Sequence, residues 1–241
     1  MNSARPSLGS PTLLLVPTEL ESQRLDDAGG FEPGSALQAL CGFGPVAAAA
    51  RTSELLSRLR PARALLVGIC GSYDDERAPV GSALEFGRVH LDGVGVGEGS
   101  RFVGPPALGF PQWPGSVDAG NEGQGDSPAR LSPIYDEIQL ASDSEALLLT
   151  TCAASDSPEH AAERLERHPA LGEDMEGFAV ALSCALAGVP LRIVRGVSNI
   201  VGDRDPAHWR IPSALQAARR LALDVLHDSE GWKAATPTHA S

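Results

Sequence analysis

Thr12-Leu-Leu-Leu-Val16 is a continuous apolar run with Pro11 before it and Pro17 after it. It is too short for a helix, and proline closes it at both ends. An apolar stretch without alternation is how a strand reads when both of its faces are covered, as in a largely parallel sheet flanked by helices. The pattern returns at residues 64–68 and 146–151, and residues 84–91 and 191–197 supply further strands. Between these runs the sequence turns helical. Residues 18–25 carry Thr18 as a cap with Glu21 three positions on. Residues 46–59 follow, then 158–167 with Ser157 ahead of Pro158. Residues 173–186 are stopped by Gly188 and Pro190, and 212–226 form a last helix. Strands alternating with helices predict an α/β fold, a three-layer α/β/α arrangement around a central mixed, mostly parallel sheet.

The length of 241 residues suits one large α/β domain or two small ones. With no internal repeat and no linker, residues 11–230 read as a single domain. Residues 1–10 read as a loose polar leader and 231–241 as a flexible tail. Residues 93–128, rich in glycine and proline, read as long loops of the kind that cover a site. The net charge of −12, with no basic stripe, argues against a nucleic-acid partner. The arginines between Arg51 and Arg63 are interrupted by Glu54 and read as a solvated helix face. The four cysteines, Cys41, Cys70, Cys152 and Cys184, form no CxxC pair. Reduced, buried thiols are expected, with neither a metal site nor a cofactor. No apolar run approaches the roughly 20 residues that span a bilayer, and residues 13–16 are too short for the core of a signal peptide. A cytoplasmic protein with no membrane partner is expected.

Open α/β sheets bind ligands at the carboxyl ends of their strands. Here Glu21 follows the first strand, and Gly68 and Gly71 stand in a turn after the second. Glu176 opens the helix that precedes the strand from Leu191, and Ser198 and Asn199 follow that strand. Three segments around these positions carry a family likeness. Glu173-Asp-Met-Glu-Gly-Phe-Ala-Val180 resembles the EMEG/EMEA signature of purine nucleosidases and phosphorylases. Arg195-Gly-Val-Ser-Asn-Ile-Val-Gly-Asp-Arg-Asp205 resembles the strand-end segment that meets the purine. Gly42-Phe-Gly-Pro-Val-Ala-Ala48 resembles the loop-to-helix element of the same superfamily. The likeness runs from about residue 12 to 226 and is poor over 93–128. Within the superfamily, Ser198-Asn199 with the following Val-Gly, Arg-Asp and Trp209 is similar to the futalosine hydrolases.

The resemblance implies a purine-nucleoside N-glycosidase. Glu21 would be the base that activates water, Glu176 would bind the ribose 2′- and 3′-hydroxyls, and Asn199 would address the purine. Met175 would pack on the ribose, Trp209 would line the far end, and Gly68, Gly71 and Ser198 would approach the substrate. Breaking the glycosidic bond passes through a ribosyl cation, so it needs a base and a nearby negative charge. Adenine-releasing relatives carry Asp after the serine. An amide offers both an N–H and a C=O, which suits N7 and a 6-oxo group together. Asn199 therefore points to hypoxanthine or guanine, and futalosine carries hypoxanthine. The phosphorylases' arginine-bearing phosphate loop is replaced by Pro17-Thr-Glu-Leu-Glu21, with two carboxylates and no arginine. Water is the expected nucleophile. The resemblance further implies a homo-oligomer and a place in the futalosine route to menaquinone.

Each residue also has a plainer reading. Glu21 is a first-turn helix acid, and neighbouring Glu19 competes for the role of base. Asn199 is a residue type that suits turns, and Gly68 and Gly71 are common strand terminators. Trp209 fits a core position, and Arg204 fits a structural knot with Asp203 and Asp205. His208 has no visible partner and supports no catalytic role. Two rival functions remain: a methylthioadenosine/S-adenosylhomocysteine nucleosidase, against which Asn199 argues, and a nucleoside-binding protein without turnover.

Overall fold

In a computed structural model of the chain, the described residues are 11–32, 34–115, 132–228 and 231–232. The leader, the tail beyond Trp232 and the loop portion 116–131 lie outside them. Strand β1 (Thr12–Val16) is buried at every position. Its side chains alternate between two cores: Leu13 and Leu15 pack with one, Leu14 and Val16 with the other. That division is the reason an unbroken apolar run forms a strand here.

Helix α1 (Glu19–Asp27) follows, then β2 (Ala36–Leu40), α2 (Pro45–Leu59) and β3 (Arg63–Ser72). The chain continues through β4 (Ala83–Phe86), β5 (Arg88–Leu91), the single turn α3 (Pro105–Leu108), β6 (Glu137–Gln139) and β7 (Leu147–Thr150). Helix α4 (Pro158–Arg167), β8 (Gly172–Asp174), α5 (Gly177–Ala187), β9 (Leu191–Ile200) and α6 (Ile211–His227) complete it. Helices α2 and α5 share the core that holds Leu13, Leu66 and Ile193. On the other face α1 and α6 cover Leu14, Leu65, Val67 and Val194 through Leu25, Leu215 and Ala218. The three-layer expectation holds.

Parallel pairings join β2 to β1, β1 to β3, β3 to β9, β5 to β7 and β7 to β8. Antiparallel pairings join β3 to β8, β4 to β9 and β5 to β6. Strands β4 and β5 are separated only by Gly87, so the path β3–β9–β4/β5–β7–β8–β3 returns on itself.

Several boundaries differ from the sequence reading. Residues 84–91 are two strands with different partners. The segment after Gly68 is no turn: β3 runs on to Ser72, because β9 keeps pairing with it across a bulge at Cys70/Gly71. The helix expected from residue 173 begins at Gly177, since residues 172–174 bridge β3 and β7 as β8. Ser198 and Asn199 lie within β9, not after it. Strands β2 and β6 carry no unbroken apolar run and were not expected; pairing with β1 and β5 creates them. Three cysteines are buried and free, whereas Cys152, in the loop after β7, is exposed.

Candidate active site

Where the carboxyl ends of β1, β3, β8 and β9 meet, a cleft of about 290 Å³ opens. Its lining includes Glu21, Met175, Glu176, Ser198, Asn199 and Trp209. These residues lie far apart in sequence; the strand ends bring them together.

Glu21 arrives from the first turn of α1. Thr18 caps that helix by accepting the Glu21 N–H at 3.3 Å, and its hydroxyl donates to Glu21 Oε2 at 2.6 Å. Glu21 Oε1 accepts the N–H of Ile69 on β3 at 3.0 Å. The carboxylate is thus turned inward and only 5% exposed, whereas Glu19 is exposed and stands outside the cleft. Glu176 is the N-cap residue of α5. Its Oε1 accepts the N–H of Gly44 at 2.9 Å. Gly44 has φ of 79°, a left-handed conformation that favours glycine, which accounts for the glycine in the Gly-Phe-Gly-Pro loop.

Arg195, fully buried on β9, lies beneath these groups and was not singled out from the sequence. Its guanidinium pairs with Asp174 and reaches Glu176 Oε2 at 3.4 Å. Burial opposes its charge, but Asp174, Glu176 and Glu21 together hold its pKa above the usual arginine value. Burial pushes the Glu176 carboxyl up to about 7, against the pull of Arg195 and of the Gly44 N–H. Asp174 is committed to structure: it also accepts from Thr150 Oγ1 at 2.7 Å and from the Gly177 N–H at 2.8 Å.

Gly68 does not line the cleft. A side chain there would collide with Arg195 Nη1 and come within 2.6 Å of Glu21 Oε1. Its lack of a side chain makes room for the charged cluster. Gly71 does face the cleft, beside Asn199. The Ser198 hydroxyl lies 3.1 Å from the Cys70 carbonyl and 2.8 Å from Asn199 Oδ1, and shares its proton between them. Asn199 Nδ2 donates to the Ile200 carbonyl at 2.8 Å. One N–H and one acceptor position of the Asn199 amide remain for a ligand.

Trp209 lines the cleft, with Arg204 stacked 5.0 Å from its ring centroid. Arg204 lines the cleft as well and forms no ion pair with Asp203 or Asp205. His208 has a partner after all: Asp203 lies 2.7 Å away and raises its pKa, though the pair faces solvent. Glu173 and Ser155, also missed, form the remaining polar wall. Glu173 accepts from the Tyr73 hydroxyl at 2.6 Å and from Arg164 at 3.2 Å. Among the described residues no group of three or more His, Cys, Asp or Glu is arranged to hold a metal ion, and no helix is long and apolar enough to cross a membrane.

The sequence profile of the phosphorylase superfamily matches residues 139–228. A futalosine hydrolase of Streptomyces coelicolor is 34% identical over 204 residues, 80% of this chain and 79% of that protein. The futalosine hydrolase of Thermus thermophilus is 31% identical over 232 residues, 91% of this chain and 96% of that protein. Among solved structures, the futalosine hydrolase of Helicobacter pylori superposes with a TM-score of 0.66 at 15% identity, covering 92% of this chain and 98% of that one. A methylthioadenosine/S-adenosylhomocysteine nucleosidase from Colwellia psychrerythraea, in complex with adenine, gives 0.65 at 20% identity, covering 93% and 98%. These structural likenesses are likenesses of fold.

Proposed function

Because this chain belongs to the futalosine hydrolases of the phosphorylase superfamily, we propose that its cleft hydrolyses the N-glycosidic bond of futalosine, releasing hypoxanthine and dehypoxanthine futalosine. One observation carries the assignment of parts. Glu21, Glu176 and Asn199 line a single cleft, and the buried Arg195 lies against Glu176. Glu21 accepts a proton from water as the water oxygen bonds to C1′ and the C1′–N9 bond breaks. The Glu176 carboxylate holds the ribose hydroxyls and offsets the positive charge that develops on the sugar. Asn199 presents its spare C=O to N7 as that nitrogen takes a proton from solvent water, and its spare N–H to the 6-oxo group. Met175 packs on the ribose, and Trp209 closes the far end.

Water is favoured over phosphate as nucleophile. The Pro17–Glu21 segment has no arginine, and Arg195 beneath it is already engaged with Asp174 and Glu176. A phosphate there would face the carboxylates of Glu21 and Glu176. The 6-oxo preference expected of Asn199 disfavours the methylthioadenosine/S-adenosylhomocysteine reading, which the adenine-bound structural relative raises only through its fold.

The same reading places the enzyme in the cytoplasm, in the futalosine route to menaquinone, with residues 11–230 acting as one domain. It also includes a homo-oligomer. In support, Phe43 and Leu20 line the cleft, and Phe43 and nearby Val46 are 66% and 83% exposed, an apolar rim suited to a neighbouring subunit. The test is chromatographic: release of the purine base from futalosine and inosine (hypoxanthine) and from methylthioadenosine (adenine), with and without phosphate. Release from futalosine in phosphate-free buffer is expected. An absolute need for phosphate, with a sugar 1-phosphate product, refutes hydrolysis.

A further inference from the structure

The mechanism above leaves one buried carboxylate of the cleft without a task. Glu173 on β8 pairs with Gly71 on β3, and Gly71 pairs with Asn199 on β9. Paired residues on neighbouring strands share a face of the sheet, and neighbouring strands lie about 4.8 Å apart. Glu173, Gly71 and Asn199 therefore form a row roughly 10 Å long across three strands. Gly71 in its middle carries no side chain, Val201 Cγ2 packs 2.9 Å from where one would stand, and all three residues of the row line the cleft.

The bonding of Glu173 is asymmetric. Its Oε2 accepts from the Tyr73 hydroxyl at 2.6 Å, the Ser155 hydroxyl at 2.7 Å and Arg164 Nη1 at 3.2 Å. Among the described residues its Oε1 accepts only the Ser155 N–H, at 2.8 Å. A carboxylate oxygen has room for two donors, so Oε1 retains acceptor capacity. Arg164 is itself buried and holds the charge in place.

Resting on the hydrolase reading, we infer that Glu173 is a second specificity-determining residue, which accepts the N1–H of a 6-oxopurine while Asn199 addresses its O6 and N7. The chemistry is one-sided. A 6-oxopurine carries a proton on N1, and a 6-aminopurine carries a lone pair there. Against a fixed carboxylate acceptor that lone pair meets no donor, and a buried mismatch of this type is costly. Glu173 thus rejects adenine independently of Asn199. Tyr73, Ser155 and Arg164 are positioning residues that keep the carboxylate charged and aimed.

The experiment compares kcat/KM for futalosine and its 6-amino analogue in the parent and in Glu173→Gln. The glutamine amide can turn its NH₂ to the N1 lone pair, so the preference for futalosine is expected to fall by about tenfold or more. A glutamate that only pins the Ser155 loop predicts an equal loss for both substrates, and an unchanged ratio overturns the inference. A second measurement needs neither turnover nor a variant: calorimetric binding of hypoxanthine and 1-methylhypoxanthine to the parent. Affinity for the methylated base is expected to be at least about tenfold weaker, and equal affinities overturn the inference. If the parent binds hypoxanthine selectively yet releases no base from futalosine, the hydrolase reading fails while the assignment of Glu173 stands.

Discussion

At the scale of the residue, Glu176 is asked to be charged in a place that disfavours charge. Burial pushes its carboxyl up to about 7, and its task falls at the moment the ribosyl cation develops. Glu176→Gln is therefore expected to lose about 100-fold or more in kcat with a much smaller change in KM. Near-normal kcat with weakened binding would show that it only holds the sugar. The sign of the pH dependence follows from the active form being ionised. Parent kcat/KM should be full at alkaline pH and fall about tenfold per unit below a midpoint near 7. A profile flat down to pH 5 removes Glu176 from that role. Asn199 makes a different prediction. Its amide is oriented by Ser198 and Ile200, which leaves one donor and one acceptor for the base. Asn199→Asp should narrow or invert the preference for futalosine over its 6-amino analogue, a change of roughly 5- to 150-fold. Unchanged selectivity, read as a ratio of kcat/KM values, means that Asn199 does not read the base.

At the scale of the element, β3 is where the site and the fold make opposite demands. Its first half is an apolar strand with Ala64, Leu65, Leu66 and Val67 all buried. At Gly68 it must let an arginine and a glutamate pass over it. Gly68→Ala introduces a methyl group where Arg195 Nη1 lies, with Pro17 Cδ 3.0 Å away. Overpacking of this type costs about 1–3 kcal/mol. Displacing Glu21 and Glu176 by even a fraction of their reach should lower kcat by about 100-fold. Thermal melting and turnover check this together. Parental Tm and kcat in the variant would show that the crossing has slack.

At the scale of the whole molecule, a buried ionic chain links the cleft wall to the carboxyl end of β5. Arg164 of α4 joins Glu173 to Asp92, which follows β5 and also meets His168 at 3.2 Å and Arg167 at 3.4 Å. Burial alone would raise the Asp92 carboxyl, but His168, Arg167 and Arg164 hold it down at about 2. A depressed carboxylate stabilises the fold above its unfolded value of 3.8, and that contribution is lost as pH falls toward 2. Asp92→Asn should cost about 3 kcal/mol or more at neutral pH, because it leaves buried cations unpaired. That corresponds to roughly 6–12 °C in Tm. The gap between parent and variant should begin to narrow below about pH 4 and be lost only as pH falls to about 2. Equal Tm values at pH 7 would show that the cluster adds nothing to stability.

What the sequence by itself determined is local. The apolar runs, Thr18 and Ser157 as caps, and Gly188 as a helix stop depend on neighbours a few positions away, and each forms as expected. The segments around Glu21, Glu176 and Asn199 were legible because their residue types and order carry a family likeness. Only the tertiary structure decided the rest, because those features are made by partners distant in the chain. Strand β8 exists through its pairing with β3 and β7, which turned the expected start of a helix into Gly172, Glu173 and Asp174 of a strand. Whether Glu19 or Glu21 faces the cleft depends on the Ile69 N–H, 48 positions away. Gly68 reads as a strand end until Arg195 is laid across it. Arg195 and Glu173 had no local signal, since a buried charge is explained only by the opposite charges that three-dimensional packing brings to it.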